Sequence, residues 1–182
     1  RLESLFNEPD LESIYESNYR QTIPLQDYLL KRVKGIASLT GEYDQTCWFH
    51  LTRVPESNRF GNGLLPLPAV VESIWSFLYN LVSEDFSNDQ WNMLRESFLA
   101  SRNDHAWQYR LKLGRAMDWG PFGILVRDVS LNPPSATHDY LSVPEIVEDI
   151  CICFAEEFGF DILAAYQSKT KACIVKFAGP PR

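Results

Sequence analysis

Nothing in this sequence approaches the roughly 20 consecutive apolar residues that a membrane-spanning helix requires, so no membrane partner is expected. The first residues, RLESLFNEPD, lack the apolar centre of a secretion signal. Cysteine is sparse: Cys47, Cys151, Cys153 and Cys173 sit inside apolar stretches without framework spacing. In such surroundings cysteine behaves as a small hydrophobe, so buried free thiols and a cytoplasmic location are expected. Lysine and arginine form no basic run, and the net charge is −7. A broad nucleic-acid surface depends on clustered cations and is therefore not expected.

Several site motifs are missing as well. There is no Gly-x-x-x-x-Gly-Lys-Ser/Thr loop and no Gly-x-Gly-x-x-Gly to cradle phosphates. There is no His-Glu-x-x-His and no Gly-x-Ser-x-Gly elbow. Cys151 and Cys153 are two apart on an expected helix, where their side chains diverge by about 200°, which disfavours a shared metal. No metal site is expected. His50-Leu-Thr52 is a lone His-x-Thr pair, because His105 and His138 are followed by Ala-Trp and Asp-Tyr. A phosphoesterase built on two such motifs is excluded on that ground.

What is present is an ordinary globular composition. The 182 residues are 45% hydrophobic and 23% charged, enough for one domain with its own core. The amino-terminal segment, about residues 1–40, reads as helical. Leu11 to Tyr19 is capped by Asp10, and Pro24 to Leu39 carries Leu25, Tyr28, Leu29, Val33 and Ile36 at helical spacing. Pro68 to Val82 is apolar around most of its circumference, the pattern of a buried helix. Ser87-Asn-Asp-Gln90 is a capping box that opens the next helix, with Trp91, Leu94, Phe98 and Leu99 on its apolar face.

Beyond it, Trp107, Tyr109, Leu111 and Leu113 alternate, which predicts a strand over His105–Leu113. A turn at Gly114–Pro121 and a second strand over Phe122–Val129 would complete a hairpin. Leu131 to His138 reads as a loop. Ser142-Val-Pro-Glu145 has the spacing of a second capping box, with Pro144 in the first turn and a helix to Phe158 closed by Gly159. Asp161 caps a short helix, Lys171 to Phe177 is a last strand, and the tail from Ala178 reads as unstructured. These elements describe an α+β single domain, a small and mostly antiparallel sheet packed with several helices.

The most informative stretch is Thr46 to Leu67. Its first half is aromatic and β-branched and reads as a strand, with Trp48, His50 and Thr52 on one face and Phe49, Leu51 and Arg53 on the other. Pro55 ends the ladder. Glu56 to Gly63 is a loop in which Gly61 and Gly63 are free to adopt positive φ. A strand ending in polar side chains before a glycine loop and a helix is a common pocket wall. The same residues also suit a plain strand, with His50 structural and Arg53 paired to an acidic neighbour. Further on, His138-Asp139-Tyr140 forms a small polar cluster: a site in which Asp139 orients His138 and Tyr140 stacks on a flat ligand, or a solvated loop. Trp119-Gly-Pro-Phe-Gly123 reads either as a pocket lining or as turn chemistry.

The run His50-Leu-Thr52-Arg53, then Asn58, then Gly63-Leu64-Leu65, resembles the first strand and loop of ADP-ribosyltransferase-fold proteins, among them DNA-targeting toxins and RNA 2′-phosphotransferases. The resemblance covers about twenty residues. It implies NAD as a substrate, held by His50, Thr52, Arg53, Asn58 and Gly63, with Tyr140 stacked on nicotinamide. It further implies a catalytic role for His50 and for a glutamate that polarises the ribose. Glu145 is the candidate, and its place in the capping box competes with that role. The function expected on this basis is an NAD-using transferase, such as a bacterial toxin or defence effector. The other function class is a non-enzymatic interaction module, an adaptor or immunity-type protein with a protein partner, which an exposed aromatic patch would favour.

Overall fold

The structure is a computed structural model that describes residues 27–28, 31–32, 45–124, 127 and 138–179. The chain forms two compact units, one of residues 1–44 and one of residues 45–180. In the first, Asp27, Tyr28, Lys31 and Arg32 are helical, in line with the helix expected over Pro24–Leu39, and Tyr28 is buried. The rest of that helix, and the one expected over Leu11–Tyr19, lie outside the described residues.

The second unit is an α+β domain. Its elements are β1 (Thr46–Pro55), α1 (Leu67–Val82), α2 (Asn88–Ala100), α3 (Asp104–Gly114), a 3-10 turn (Ala116–Asp118), α4 (Glu145–Phe158), α5 (Leu163–Lys169) and β2 (Thr170–Gly179). β1 and β2 pair antiparallel along their whole length, from Thr46 opposite Gly179 to Pro55 opposite Thr170. Strands far apart in sequence thus make a two-stranded ribbon, and the main core lies among the helices.

That core is aromatic. Trp75 on α1 is 1% exposed and lies 5.4–6.1 Å from the ring centroids of Trp91, Phe98, Tyr109 and Phe154, edge to face with the first three. Edge-to-face contact sets the positive rim of one ring against the negative face of another. The Trp75 indole Nε1 donates to the Tyr109 hydroxyl at 2.8 Å, so the polar tip of each ring is satisfied inside the core. Arg95 stacks over Trp75 at 5.0 Å and forms a two-pronged pair with Glu72.

The α2 capping box is present as expected: Gln90 N donates to Ser87 Oγ, and Ser87 N donates to Gln90 Oε1. Four other local expectations are corrected. His105–Leu113 is helix, not strand. Asn103 caps it by accepting from His105 N at 2.8 Å, and the buried positions Ala106 and Tyr109 keep helical spacing while Trp107 stays in solvent. The hairpin is consequently absent. Of the strand expected over Phe122–Val129, Ile124 bridges Phe49, Arg127 is helical, and the others past Ile124 lie outside the described residues, as does Leu131 to Thr137 of the expected loop. Helix α4 begins at Glu145 with Pro144 as its cap, not Ser142; the Ser142 hydroxyl instead accepts from Gln167 Nε2 at 3.2 Å. Finally, Ala178 and Gly179 belong to β2, because the ladder with Thr46 and Cys47 carries it that far.

One glycine is required by close packing. A Cβ on Gly123 would lie 2.8 Å from the Cβ of Trp48 and 3.0 Å from the Phe177 ring, so only glycine lets this segment cross the ribbon.

The cysteines are all free, but they are not all buried: Cys47 is exposed and Cys173 half-buried. Burial pushes the Cys151 thiol up to about 12 and the Cys153 thiol up to about 11, with nearby carboxylates adding to both shifts. A disulfide reagent at about pH 8 is expected to modify Cys47 first and to leave Cys151 and Cys153 untouched until the chain unfolds. Mass mapping of the labelled native protein checks this, and early labelling of Cys151 would contradict it.

Candidate functional site

On β1 the residues expected to bind NAD have definite partners. His50 Nδ1 is 2.8 Å from the carbonyl oxygen of Phe122, which ties the strand to the segment crossing over it. The Thr52 hydroxyl donates only to its neighbour, the Arg53 carbonyl, at 3.5 Å. Asn58 Oδ1 accepts from Phe60 N at 2.7 Å, an Asx turn that helps hold Phe60 at φ 50°. Gly63, at φ 70°, closes the same loop by donating its N–H to Phe60 O at 2.8 Å.

Arg53 lies on the opposite face of β1 and is fully engaged. Its Nε donates to Thr170 Oγ1 at 3.0 Å, Nη1 to Leu141 O at 2.8 Å, and Nη2 to Gln167 O and Thr170 O, both at 2.9 Å. The guanidinium thus collects the carbonyls at the carboxyl end of α5 and joins them to the loop before α4. The helix macrodipole makes that end negative and favours a cation there. Its partners are carbonyls, not the acidic neighbour that the strand reading suggested.

The second group of expected site residues meets at the start of α4. The Tyr140 hydroxyl donates to Glu145 Oε1 at 2.6 Å. Burial pushes the Tyr140 phenol well above its ordinary range, and the adjacent carboxylate acts in the same direction. Glu145 Oε2 lies 3.5 Å from Lys112 Nζ, which also pairs with Asp149 Oδ2 at 2.5 Å. Asp149, 5% exposed, has its other oxygen 3.4 Å from His105 Nδ1. Burying a carboxylate this deeply is tolerable because a lysine and a histidine meet it. His138 packs edge to face on Tyr140 at 4.6 Å, with Nε2 2.6 Å from Val143 O and Nδ1 3.4 Å from Glu148 Oε2. Asp139 caps the turn through Leu141 N and Ser142 N, and does not bond His138.

Tyr140 and Glu145 are therefore brought together, while no hydrogen bond or ion pair among the described residues joins either of them to His50 or Thr52. Sequence reasoning missed Lys112, Asp149 and His105. Their signal was spacing: His105 and Lys112 are seven apart, and Glu145 and Asp149 four apart, so each pair shares one helix face. Reading α3 as a strand hid the first pair. A shallow depression elsewhere on α3 is lined by Arg102, Asp104, Trp107 and Arg110, and includes none of the expected site residues. Among the described residues no group of three or more His, Cys, Asp or Glu could hold a metal, and no helix is long and apolar enough to cross a membrane.

No protein-family model, curated protein or solved structure matches this chain.

Proposed function

We propose that this chain is a non-enzymatic interaction module, of the adaptor or immunity type, that binds a protein partner in the cytoplasm. The observation that carries the reading is the exposed apolar segment beside the helices. Met117 and Phe122 are 70% and 63% exposed, and Trp119 and Leu65 also reach solvent. The segment is tethered: Leu67 N donates to Trp119 O at 2.8 Å and the Trp119 indole to Leu113 O at 2.9 Å. Aromatic and methionine side chains held in water on a tethered backbone have the composition of an interface core, and a partner would remove them from water at little ordering cost. Four free thiols fit a reducing compartment. Meanwhile the Arg53 guanidinium is spent on the fold, and Asn58 Oδ1 is taken by Phe60 N.

The double variant Met117→Asp, Phe122→Asp is expected to weaken retention of the partner that wild type co-purifies by at least about tenfold. Its melting temperature should be unchanged, because neither side chain is in the core. Undiminished retention of that same partner by the folded variant would end this reading.

A second reading, an NAD-using transferase of toxin or defence type, is favoured by one contact, the half-open Glu145 carboxylate held by Tyr140. Under it His50, Thr52, Arg53, Asn58 and Gly63 hold NAD, Tyr140 stacks on nicotinamide, and Glu145 stabilises the oxocarbenium-like state. Calorimetric titration with NAD tests it. Binding by wild type, lost in a folded His50→Ala variant, with turnover lost in Glu145→Gln, is the expected pattern; no binding by wild type ends it.

A further inference from the structure

Among the described residues the ribbon has an open side. Phe49 exchanges both backbone hydrogen bonds with Ile124, at 2.9 Å each, so its N–H and C=O point away from β2. Backbone direction alternates along a strand, and directly opposite residues in an antiparallel pair point their groups the same way relative to the partner. Lys176 stands opposite Phe49, so its N–H and C=O point away from β1. The same holds for Ala172, Ile174 and Ala178, which stand opposite Arg53, Leu51 and Cys47. Among the described residues the backbone groups of these four have no hydrogen-bond partner, and Ala172, Lys176 and Ala178 are exposed. Among the described residues β2 therefore presents a long, unpaired and regular edge.

Such an edge is a template for another strand, and folded proteins commonly blunt it with bulges, proline, charged residues such as lysine, or cover. Here the ladder runs through ten consecutive pairs without a bulge, and no proline falls within Thr170–Gly179. The charge on the edge is positive. Lys171 is neutralised by Glu56, whereas Lys176 has no ion pair among the described residues. Lys176, midway along this edge, therefore disfavours a basic or uncharged incoming strand and leaves an acidic one as its complement.

We propose that the free edge of β2 binds an extended acidic peptide segment of a protein partner as a third, antiparallel strand. Ala172, Ile174, Lys176 and Ala178 supply main-chain hydrogen bonds, and Lys176 pairs with a carboxylate on the incoming strand. This is strand addition, in which the backbone gives affinity and alternate side chains give specificity. A second copy of this chain fits the edge less well. Antiparallel self-pairing centred on the open stretch sets Ile174 opposite Lys176 of the copy, and it brings two chains of charge −7 together. The proposal rests on the interaction-module reading and names its partner chemistry at residues other than Met117 and Phe122.

The probe is a fluorescein-labelled eight-residue peptide alternating valine and glutamate, measured by anisotropy against the whole chain. Ala172→Pro removes an outward N–H without touching the β1 ladder, because proline is tolerated on an edge whose N–H faces solvent. Wild type is expected to bind the peptide, and Ala172→Pro to weaken it about tenfold. Lys176→Glu should also weaken it, and should gain affinity for the matching valine–lysine peptide. Circular dichroism and melting confirm that each variant is folded. A second edge variant, Ala178→Pro, stands in if Ala172→Pro fails to fold. Absence of binding by wild type, or equal binding by a folded proline variant, overturns the proposal. So does concentration-dependent dimerisation that Ala172→Pro dissolves, because the edge then takes a second copy. The Met117→Asp, Phe122→Asp variant separates the two readings. Its loss of partner with intact peptide binding supports both, whereas peptide failure with partner retention by wild type ends the strand-addition proposal and leaves the interaction module standing.

Discussion

Replacing Arg53 by alanine is expected to lower the unfolding free energy by about 3 kcal/mol, among the largest effects of any polar residue in this chain. The side chain is only partly buried, so water will reach some of what it leaves behind, and that keeps the figure below the sum of its bonds. Four donated hydrogen bonds are lost at once, and the carbonyls of Leu141, Gln167 and Thr170 lose a charged partner. Three elements come apart at this point: β1, the α5–β2 junction, and the loop that leads into α4. Arg53→Lys keeps the positive charge near the end of α5 but has no planar fork to span three carbonyls, so it should recover less than half of the loss. Denaturant unfolding of the three proteins measures this. A loss below about 1 kcal/mol for alanine would mean that water satisfies the carbonyls and that Arg53 is a surface residue in energetic terms.

The same residue shows how far the sequence could be read. Its place on β1, on the face opposite His50, follows from strand alternation and agrees with the observed register. Its partners could not be read, because carbonyl groups are the same at every position and carry no sequence signal. The α2 capping box was legible since both of its bonds are made by side chains three residues apart. The Ser142 box has equal spacing, yet Asp139 takes the backbone N–H groups of that turn and Pro144, two residues later, is the cap of the helix. Alternation failed for α3 because Trp107 and Leu111 are not core residues. Their period of two arises from an exposed tryptophan beside the buried Tyr109, and the cap at Asn103 was the better signal.

The candidate site divides along similar lines. Tyr140 and Glu145 are five residues apart across a turn, close enough in sequence that their contact needs no tertiary information. The Lys112, Asp149 and His105 network needs α3 packed on α4, a pairing of helices that local patterns do not specify. Exposure of Met117 and Phe122 was equally hidden, since apolar residues in a turn-rich segment suit a core as well as a surface.

Trp75→Ala should cost about 4 kcal/mol, the usual size of removing a fully buried tryptophan. The residue is 1% exposed and lies where α1, α2, α3 and α4 meet through Trp91, Phe98, Tyr109 and Phe154. A cavity bounded by four rings cannot close by small shifts, because each ring also packs against others: Phe98 on Tyr109, Phe154 on Phe158, and Trp91 on Tyr79 and Phe154. The polar part of the loss can be isolated. Tyr109→Phe leaves the Trp75 indole N–H buried with no acceptor, at a cost of about 1–3 kcal/mol. Trp75→Phe orphans the Tyr109 hydroxyl and also leaves a smaller cavity. In the double variant Trp75→Phe, Tyr109→Phe neither unpaired group remains. Its loss should therefore be smaller than the sum of the two single losses by about 1 kcal/mol or more. Urea unfolding of the four proteins closes this cycle. Strict additivity would show that water enters the core to satisfy either group alone, and that the indole–hydroxyl bond does not hold α1 and α3 in register.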